Sequence, residues 1–365
     1  MAPLLVIAAG GTGGHMFPAQ ALAEEMLSRG WRVTLTSDDR GLRYADGFPE
    51  AVQRVETASA SLSRGGLIAK LTAPFAIYRG VKAARALFGA DRPAVVAGFG
   101  GYPALPALAA AWTMSMPRLI HEQNGVLGRV NRAFARHVDR VCCGTPLKTR
   151  PAGATIVDIG NPVRSGAAAM RETPYTIPGE GPLSLLVFGG SQGASVFGRL
   201  VPEAVALLPE GLRARLTVTQ QVREGEGDSI TAAYAAAGVT ANLAPFFADM
   251  PARMAGAQLV ISRAGASTIA ELSAIGRPAI LVPYPHALDD HQTANAAALE
   301  GAGGAIVEPE AGLTAEGLAA TLRELLLENP GKTATMAAAA WSLGRPHAAR
   351  DLADLVQELQ KGASG

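Results

Sequence analysis

Only two cysteines occur in the 365 residues, and they are neighbours, Cys142 and Cys143. Adjacent thiols on an apolar run suit neither a disulfide framework nor a zinc site, so reduced thiols in a cytosolic protein are expected. No group of His, Cys, Asp and Glu shows metal-ligand spacing, and neither a metal nor another cofactor is implied. A charge of one sign is lacking too: 32 Lys and Arg face 31 Asp and Glu, a net charge of +1. That balance leaves no electrostatic footprint for nucleic acid. No apolar run reaches the roughly 20 residues a membrane-spanning helix needs. The N-terminus has no basic leader and runs straight into a strand, so no signal peptide is expected.

The dinucleotide fingerprint G-x-G-x-x-G is also missing, although three turns come close to it. In Gly10-Gly11-Thr12-Gly13-Gly14-His15 the last glycine of the pattern would fall on Met16. In Gly98-Phe99-Gly100-Gly101-Tyr102-Pro103 it falls on Pro103, and Ser191 and Gln192 break Gly189-Gly190-Ser191-Gln192-Gly193. Each turn follows an apolar run and precedes a helix-like stretch. Glycines at such a junction let the backbone approach an anion or a sugar, and the helix start adds unpaired N–H groups and a positive dipole end. Plain turn geometry explains one such loop equally well. Their recurrence at the start of both halves points to two similar domains facing a shared cleft and to a ligand other than NAD.

Length supports two domains, and 48% hydrophobic residues supply two cores. Apolar runs alternate with helical stretches, the pattern of α/β doubly wound parallel sheets. In the first half the strands are expected at Leu4–Ala8, Arg32–Thr36, Ala94–Ala97, Arg118–His121 and Arg140–Cys143. In the second half they are expected at Leu183–Phe188, Ala214–Thr219, Asn242–Ala244, Leu259–Ser262 and Ala279–Val282. The first helix is read as Pro18 to Leu27, which leaves His15 at the mouth of the loop. An amphipathic helix is expected from Pro346 to Gln360, and the domains change near Asn161-Pro162-Val163-Arg164.

The loops after these strands carry a resemblance. Gly10 to His15, His121-Glu122-Gln123-Asn124-Gly125, Gly160 to Arg164, Gly189 to Gly193 and Arg263-Ala264-Gly265-Ala266-Ser267-Thr268 closely resemble the MurG family of bacterial glycosyltransferases. The resemblance spans nearly the whole chain in order. It implies the GT-B fold, two Rossmann-like domains of which the second binds UDP-sugar. It places 1–162 with 344–365 in an acceptor and membrane-binding domain, and 163–343 in a UDP-GlcNAc-binding domain. It implies inverting, metal-independent transfer of GlcNAc from UDP-GlcNAc to lipid I, giving lipid II, on the cytoplasmic face of the inner membrane.

Ser191 can donate to a phosphate while the amides of Gln192 and Gly193 and the helix dipole hold its charge; it can equally serve as a helix N-cap. Glu271 can accept from a ribose diol or stand as a solvated helix carboxylate, and the resemblance favours the ribose. By resemblance the donor site also takes in Thr12, Gly13, Gly14, Ala266, Ser267 and Thr268. The resemblance also implies that Arg164 lies against the nucleotide, that the main chain at Phe247 meets the uracil, that Gln292 meets sugar hydroxyls and that Asn124 reaches the donor sugar or the acceptor. Asp290 and His291 read as local helix capping. His15 is the candidate general base, since an unperturbed pKa of about 6.5 suits proton transfer near neutrality. A histidine that only braces a phosphate is the other reading. His121 and Glu122 read as loop supports, with Glu122 the next candidate base.

A polyprenyl acceptor requires contact with a membrane surface. Leu62 to Phe88 carries Leu67, Ile68, Leu71, Phe75, Ile77 and Phe88 among Arg64, Lys70, Arg79, Lys82 and Arg85, with no acidic residue. That composition fits an interfacial helix on anionic lipid, or an ordinary surface helix. Two rival activities share the phosphate loops: a non-hydrolysing UDP-GlcNAc epimerase, and an NAD-dependent oxidoreductase using Asp38 or Asp39 for the ribose.

Overall fold

The computed structural model describes residues 2–11, 13–43, 45–57, 67–190 and 193–363. Contacts divide the chain into two compact units, one of residues 1–165 with 345–365 and one of 166–344.

In the first unit, among the described residues, seven strands form one parallel sheet: β1 Leu4–Ala8, β2 Arg32–Ser37, β3 Gln53–Glu56, β4 Val95–Gly98, β5 Arg118–Glu122, β6 Arg140–Cys143 and β7 Ile156–Asp158. Their spatial order is β3-β2-β1-β4-β5-β6-β7. Side chains alternate across the pleat, so a central strand must be apolar on both faces. Leu5 and Ile7 of β1 pack with Met16 and Leu22 and with Leu352 and Val356 of the last helix, Ala348–Gly362. Leu4, Val6 and Ala8 pack on the other face with Phe88 and Leu108. The last helix is tied down further by Arg29, which reaches Asp354 at 2.6 Å and Gln357 at 2.7 Å. Cys142 and Cys143 are buried on opposite faces of β6, and burial pushes both thiols up, Cys143 to about 12.

The second unit repeats the plan. Among the described residues, β8 Leu183–Phe188, β9 Leu216–Gln221, β10 Thr240–Ala244, β11 Leu259–Ser262, β12 Ala279–Leu281 and β13 Ala305–Val307 form a parallel sheet ordered β10-β9-β8-β11-β12-β13. Leu185 and Val187 pack against Phe197 and Leu200 of helix Ser195–Ala206 and Leu322 of helix Ala315–Arg323. Arg277, 1% exposed, has no carboxylate partner among the described residues. It donates to the carbonyls of Ala255, Ile275, Gly276, Thr173 and Pro174, so two helix C-termini and the incoming chain share one cation.

β1, β6, β8 and β11 have the bounds the sequence predicts. The segment expected at Ala214 starts two residues later, because Ala214 closes the short helix Glu210–Arg213. β3, β7 and β13 were not foreseen, and all three lie at sheet edges. The long helix of the basic segment runs Leu67–Ala90. Phe88 and Ala84 lie in the core, which removes Phe88 from any membrane-facing stripe. Phe75 and Tyr78, each 65% exposed, are on the surface with Arg79 and Lys82, and the Arg79 guanidinium lies 6.0 Å from the Phe75 ring. Residues 62–66 lie outside the described residues.

Candidate active site

Open parallel sheets hold ligands beyond the carboxyl ends of their strands, where the strand order reverses and adjacent loops leave on opposite faces. That point lies between β1 and β4 in the first unit and between β8 and β11 in the second. The glycine turns at 10–14 and 98–101 follow β1 and β4, and the turn at 189–193 follows β8. Residues 263–268 occupy the fourth position, after β11.

After β1 the chain turns at Gly11, φ +90°, and enters helix Gly13–Ser28. The helix starts ahead of Pro18, so Gly13, Gly14 and His15 form its first turn rather than the loop. Thr12 lies outside the described residues. Gly10 is enclosed: a Cβ there would stand 2.6 Å from Pro103 and 2.9 Å from Asp38 Oδ1. Asp38 caps the short helix Asp39–Leu42, accepting from the Gly41 amide at 2.9 Å. The carboxylate that a dinucleotide enzyme would offer to a ribose therefore closes a turn here.

His15 Nδ1 lies 2.9 Å from the Gly10 carbonyl oxygen. A carbonyl only accepts, so Nδ1 carries the proton and the neutral ring keeps its basic lone pair on Nε2. His121 has a different environment. It is fully buried, with Nε2 3.5 Å from the Gly160 carbonyl and its ring 5.4 Å from Phe99. Burial pushes its pKa down to about 4; the Gly160 contact opposes this and His15 adds to it. His121 is a neutral structural ring.

Glu122, next on β5, is 1% exposed and accepts four hydrogen bonds. Its Oε1 takes the Asn124 backbone and side-chain N–H groups at 3.1 Å each, and its Oε2 takes Gly128 N at 2.8 Å and Asn131 Nδ2 at 2.9 Å. A carboxylate so occupied shapes a loop and is ill placed to take a substrate proton. Asn124 is held by that grip. Arg164 falls in the first unit, its guanidinium 4.5 Å from the Phe17 ring.

In the second unit Gly189 has no space for a side chain, since a Cβ would meet Gly193 C and Ala194 N at 2.3 Å. Gly190 (φ +78°) and Gly193 (φ +68°) are both left-handed. Gly189 N donates to Gln221 Oε1 at 3.1 Å, and Gln221 Nε2 donates to Pro245 O at 3.1 Å. Ser191 and Gln192 lie outside the described residues. Phe247 turns its side chain inward under Arg253, 4.3 Å from the ring, while Phe246 is exposed.

After β11, Gly265 precedes helix Ala266–Ile275 without a side-chain cap, which leaves the helix-start amides of Ala266, Ser267 and Thr268 to other partners. Ser267 Oγ is buried with no hydrogen-bond partner among the described residues. Glu271, four residues on and so on the same helix face, is only 5% exposed. It is not the solvated carboxylate of the alternative reading. Gln292 Oε1 accepts from Ala264 N at 3.2 Å and Tyr284 N at 2.9 Å. Both partners are donors, so the amide orientation is fixed and the Nε2 hydrogens are what Gln292 can offer a sugar. Asp289 and Asp290 are both left-handed, φ +53° and +48°. Asp290 takes the N-cap position of helix His291–Gly301, yet its carboxylate accepts from the Thr293 hydroxyl at 2.8 Å rather than from a helix amide.

Sequence reasoning missed the role of Arg263. Buried behind this helix start, it donates to Val282 O and Pro283 O at 3.2 Å each and pairs with Glu310 at 2.5 Å, fixing the chain beyond β12 and β13. A cation between an apolar strand and Gly265 was the available signal. Asn131, which joins Glu122 to the His121 carbonyl, had none.

Residues 5–143 match the glycosyltransferase family 28 N-terminal domain, and residues 184–357 match the family 28 C-terminal domain. A Mesorhizobium japonicum protein, named UDP-N-acetylglucosamine–N-acetylmuramyl-(pentapeptide) pyrophosphoryl-undecaprenol N-acetylglucosamine transferase, is 51% identical over 98% of this chain and 95% of its own length. A Rhodospirillum centenum protein of the same name is 51% identical over 98% of this chain and 94% of its own. Among solved structures, Acinetobacter baumannii MurG is 32% identical with a TM-score of 0.77, covering 98% of this chain and 99% of that one.

Proposed function

The chain belongs to glycosyltransferase family 28 and within it to the MurG transferases, and on that premise we propose how its residues transfer GlcNAc from UDP-GlcNAc to the MurNAc C4 hydroxyl of lipid I. The observation that carries the reading is the buried Glu271 one turn beyond the helix start at Ala266, Ser267 and Thr268, which has no side-chain cap. A carboxylate withdrawn from water beside an uncapped helix start suits a ribose diol next to a diphosphate. Gln292 donates to the sugar, and the main chain at Phe247 meets the base. The turn at 189–193, with Ser191, Gln192 and Gly193, adds donors for the phosphates. Thr12, Gly13 and Gly14 complete the donor site, Asn124 reaches the donor sugar or the acceptor, and Arg164 lies against the nucleotide.

In the reaction the C4 oxygen attacks C1 of GlcNAc as its proton passes to His15 Nε2. The bond from C1 to the diphosphate oxygen breaks, UDP departs with the electron pair, and the α linkage becomes β. Fixed N–H donors stabilise the charge that develops on the diphosphate. Label from UDP-GlcNAc should appear in a lipid I analogue, and turnover should persist in EDTA. Label recovered as free or epimerised sugar without acceptor would overturn the reading in favour of an epimerase. Activity abolished by EDTA and restored by Mg²⁺ would overturn the diphosphate assignment.

Among the described residues no helix is long and apolar enough to cross a membrane. The surface of helix Leu67–Ala90 with Phe75, Tyr78, Arg79 and Lys82 supports peripheral attachment to anionic lipid on the cytoplasmic face of the inner membrane. Each cation near such a surface is worth about 1 kcal/mol. Changing Lys70, Arg79 and Lys82 to Glu should abolish sedimentation with anionic vesicles and spare turnover of a soluble acceptor analogue. Unchanged sedimentation would return this helix to an ordinary surface.

A further inference from the structure

The glycine turn after β4 has no role in the reaction as described, yet it is built against the proposed base. Gly100 is left-handed, φ +85°, and a Cβ there would stand 3.2 Å from His15 Nε2, 3.3 Å from His15 Cδ2 and 3.3 Å from Asn131 Nδ2. Gly101, φ +74°, would bring a Cβ to 3.0 Å from the Gly10 carbonyl and 3.5 Å from His15 Nδ1. The carbonyl that fixes the tautomer of His15 is thus covered by one glycine, and its basic edge faces the other. Asn131 does not shift freely on the far side. It is 1% exposed, and its Nδ2 donates to the His121 carbonyl at 3.0 Å and to Glu122 Oε2 at 2.9 Å. Its Oδ1 is buried with no hydrogen-bond partner among the described residues.

We propose that Gly100 and Asn131 are positioning residues that form a rigid seat for the His15 ring. Residues 98–101 are then a support for the base. Any side chain at position 100 pushes the Nε2 edge away from the place where the acceptor hydroxyl must meet it. The inference rests on His15 being the base. The titratable groups nearest the ring on neighbouring elements are His121 on β5, Glu122, which holds Asn131 on the other side of Gly100, and Asp38 across Gly10.

The test is a double-mutant cycle on the full chain, with kcat, acceptor KM and UDP affinity measured in the label-transfer assay. Gly100→Ala should lower kcat by about 10–100-fold, the scale of a small misplacement of a catalytic group, and shift the acidic limb of the kcat–pH profile. UDP affinity and acceptor KM should hold. In a His15→Ala background the same change should cost nothing further. Gly153→Ala is the control for backbone strain, since Gly153 is equally left-handed (φ +76°) but its Cβ would enter open space; it should leave kcat unchanged. Should Gly100→Ala fail to fold, Asn131→Ala removes the other side of the seat without demanding a left-handed backbone, and it should show the same dependence on His15. An equal loss in both backgrounds, or a raised acceptor KM at constant kcat, would overturn the seat and make 98–101 a substrate loop. A His15→Ala enzyme with wild-type kcat would overturn the base itself, and the seat with it.

Discussion

The two units share a strand order up to the sixth strand and place loops at the same reversal point, but they fill that point with different chemistry. In the first unit the turn after β1 is walled by other elements: Pro103, Asp38, the turn after β4 and an imidazole. In the second, the turn after β8 closes on its own backbone, Gly193 and Ala194, and a second helix start after β11, without a side-chain cap, precedes a buried carboxylate. One doubly wound scaffold has thus been fitted once around a titratable ring and once around fixed hydrogen-bonding groups. The lesson is a division of labour. On the proposed reading the first unit takes the proton, and the second supplies most of the groups that hold the nucleotide sugar.

The largest effect expected from breaking that division is on the first unit. His15→Ala should lower kcat by about 10²–10⁴-fold, the usual contribution of a general base, and flatten the acidic limb of kcat against pH. Survival of that limb would place the base elsewhere.

A second contrast concerns stability. His121, held near pKa 4 by burial, belongs to the first unit alone. Its folded pKa is below the unfolded value, so between about pH 6.5 and 4 the unfolded chain binds more protons and stability falls as pH falls. The loss reaches about 3 kcal/mol at the acidic end of that window. Hydrogen exchange should show the first unit opening before the second on acidification, and His121→Gln should remove much of that dependence. Uniform loss of protection in both units would sink the assignment.

The smallest of the three effects falls on the second unit. Glu271→Ala should raise the KM for UDP-GlcNAc at a cost of about 1–3 kcal/mol, with acceptor KM unchanged. Wild-type donor kinetics would remove the ribose assignment.

How much of this could be read in the sequence follows from burial. Central strands such as β1 and β8 are apolar on both faces and stand out as runs. Edge strands such as β3, with mostly exposed residues, carry little such signal; β3, β7 and β13 are missed, and of β10 only Asn242–Ala244 is read. The same reasoning applies at the site. Glycine turns announce themselves because few residues tolerate a left-handed backbone, as at Gly11 and Gly190. The partners of Glu122 and the burial of Glu271 depend on what packs above them, which one sequence does not state. His15 was legible as a residue type, but its tautomer needed the Gly10 carbonyl in place.

The most direct test of the divided roles is calorimetric titration of UDP into His15→Ala and Glu271→Ala. The account predicts wild-type affinity for His15→Ala and affinity weakened about tenfold or more for Glu271→Ala. Loss of UDP binding in His15→Ala with full binding in Glu271→Ala would contradict it.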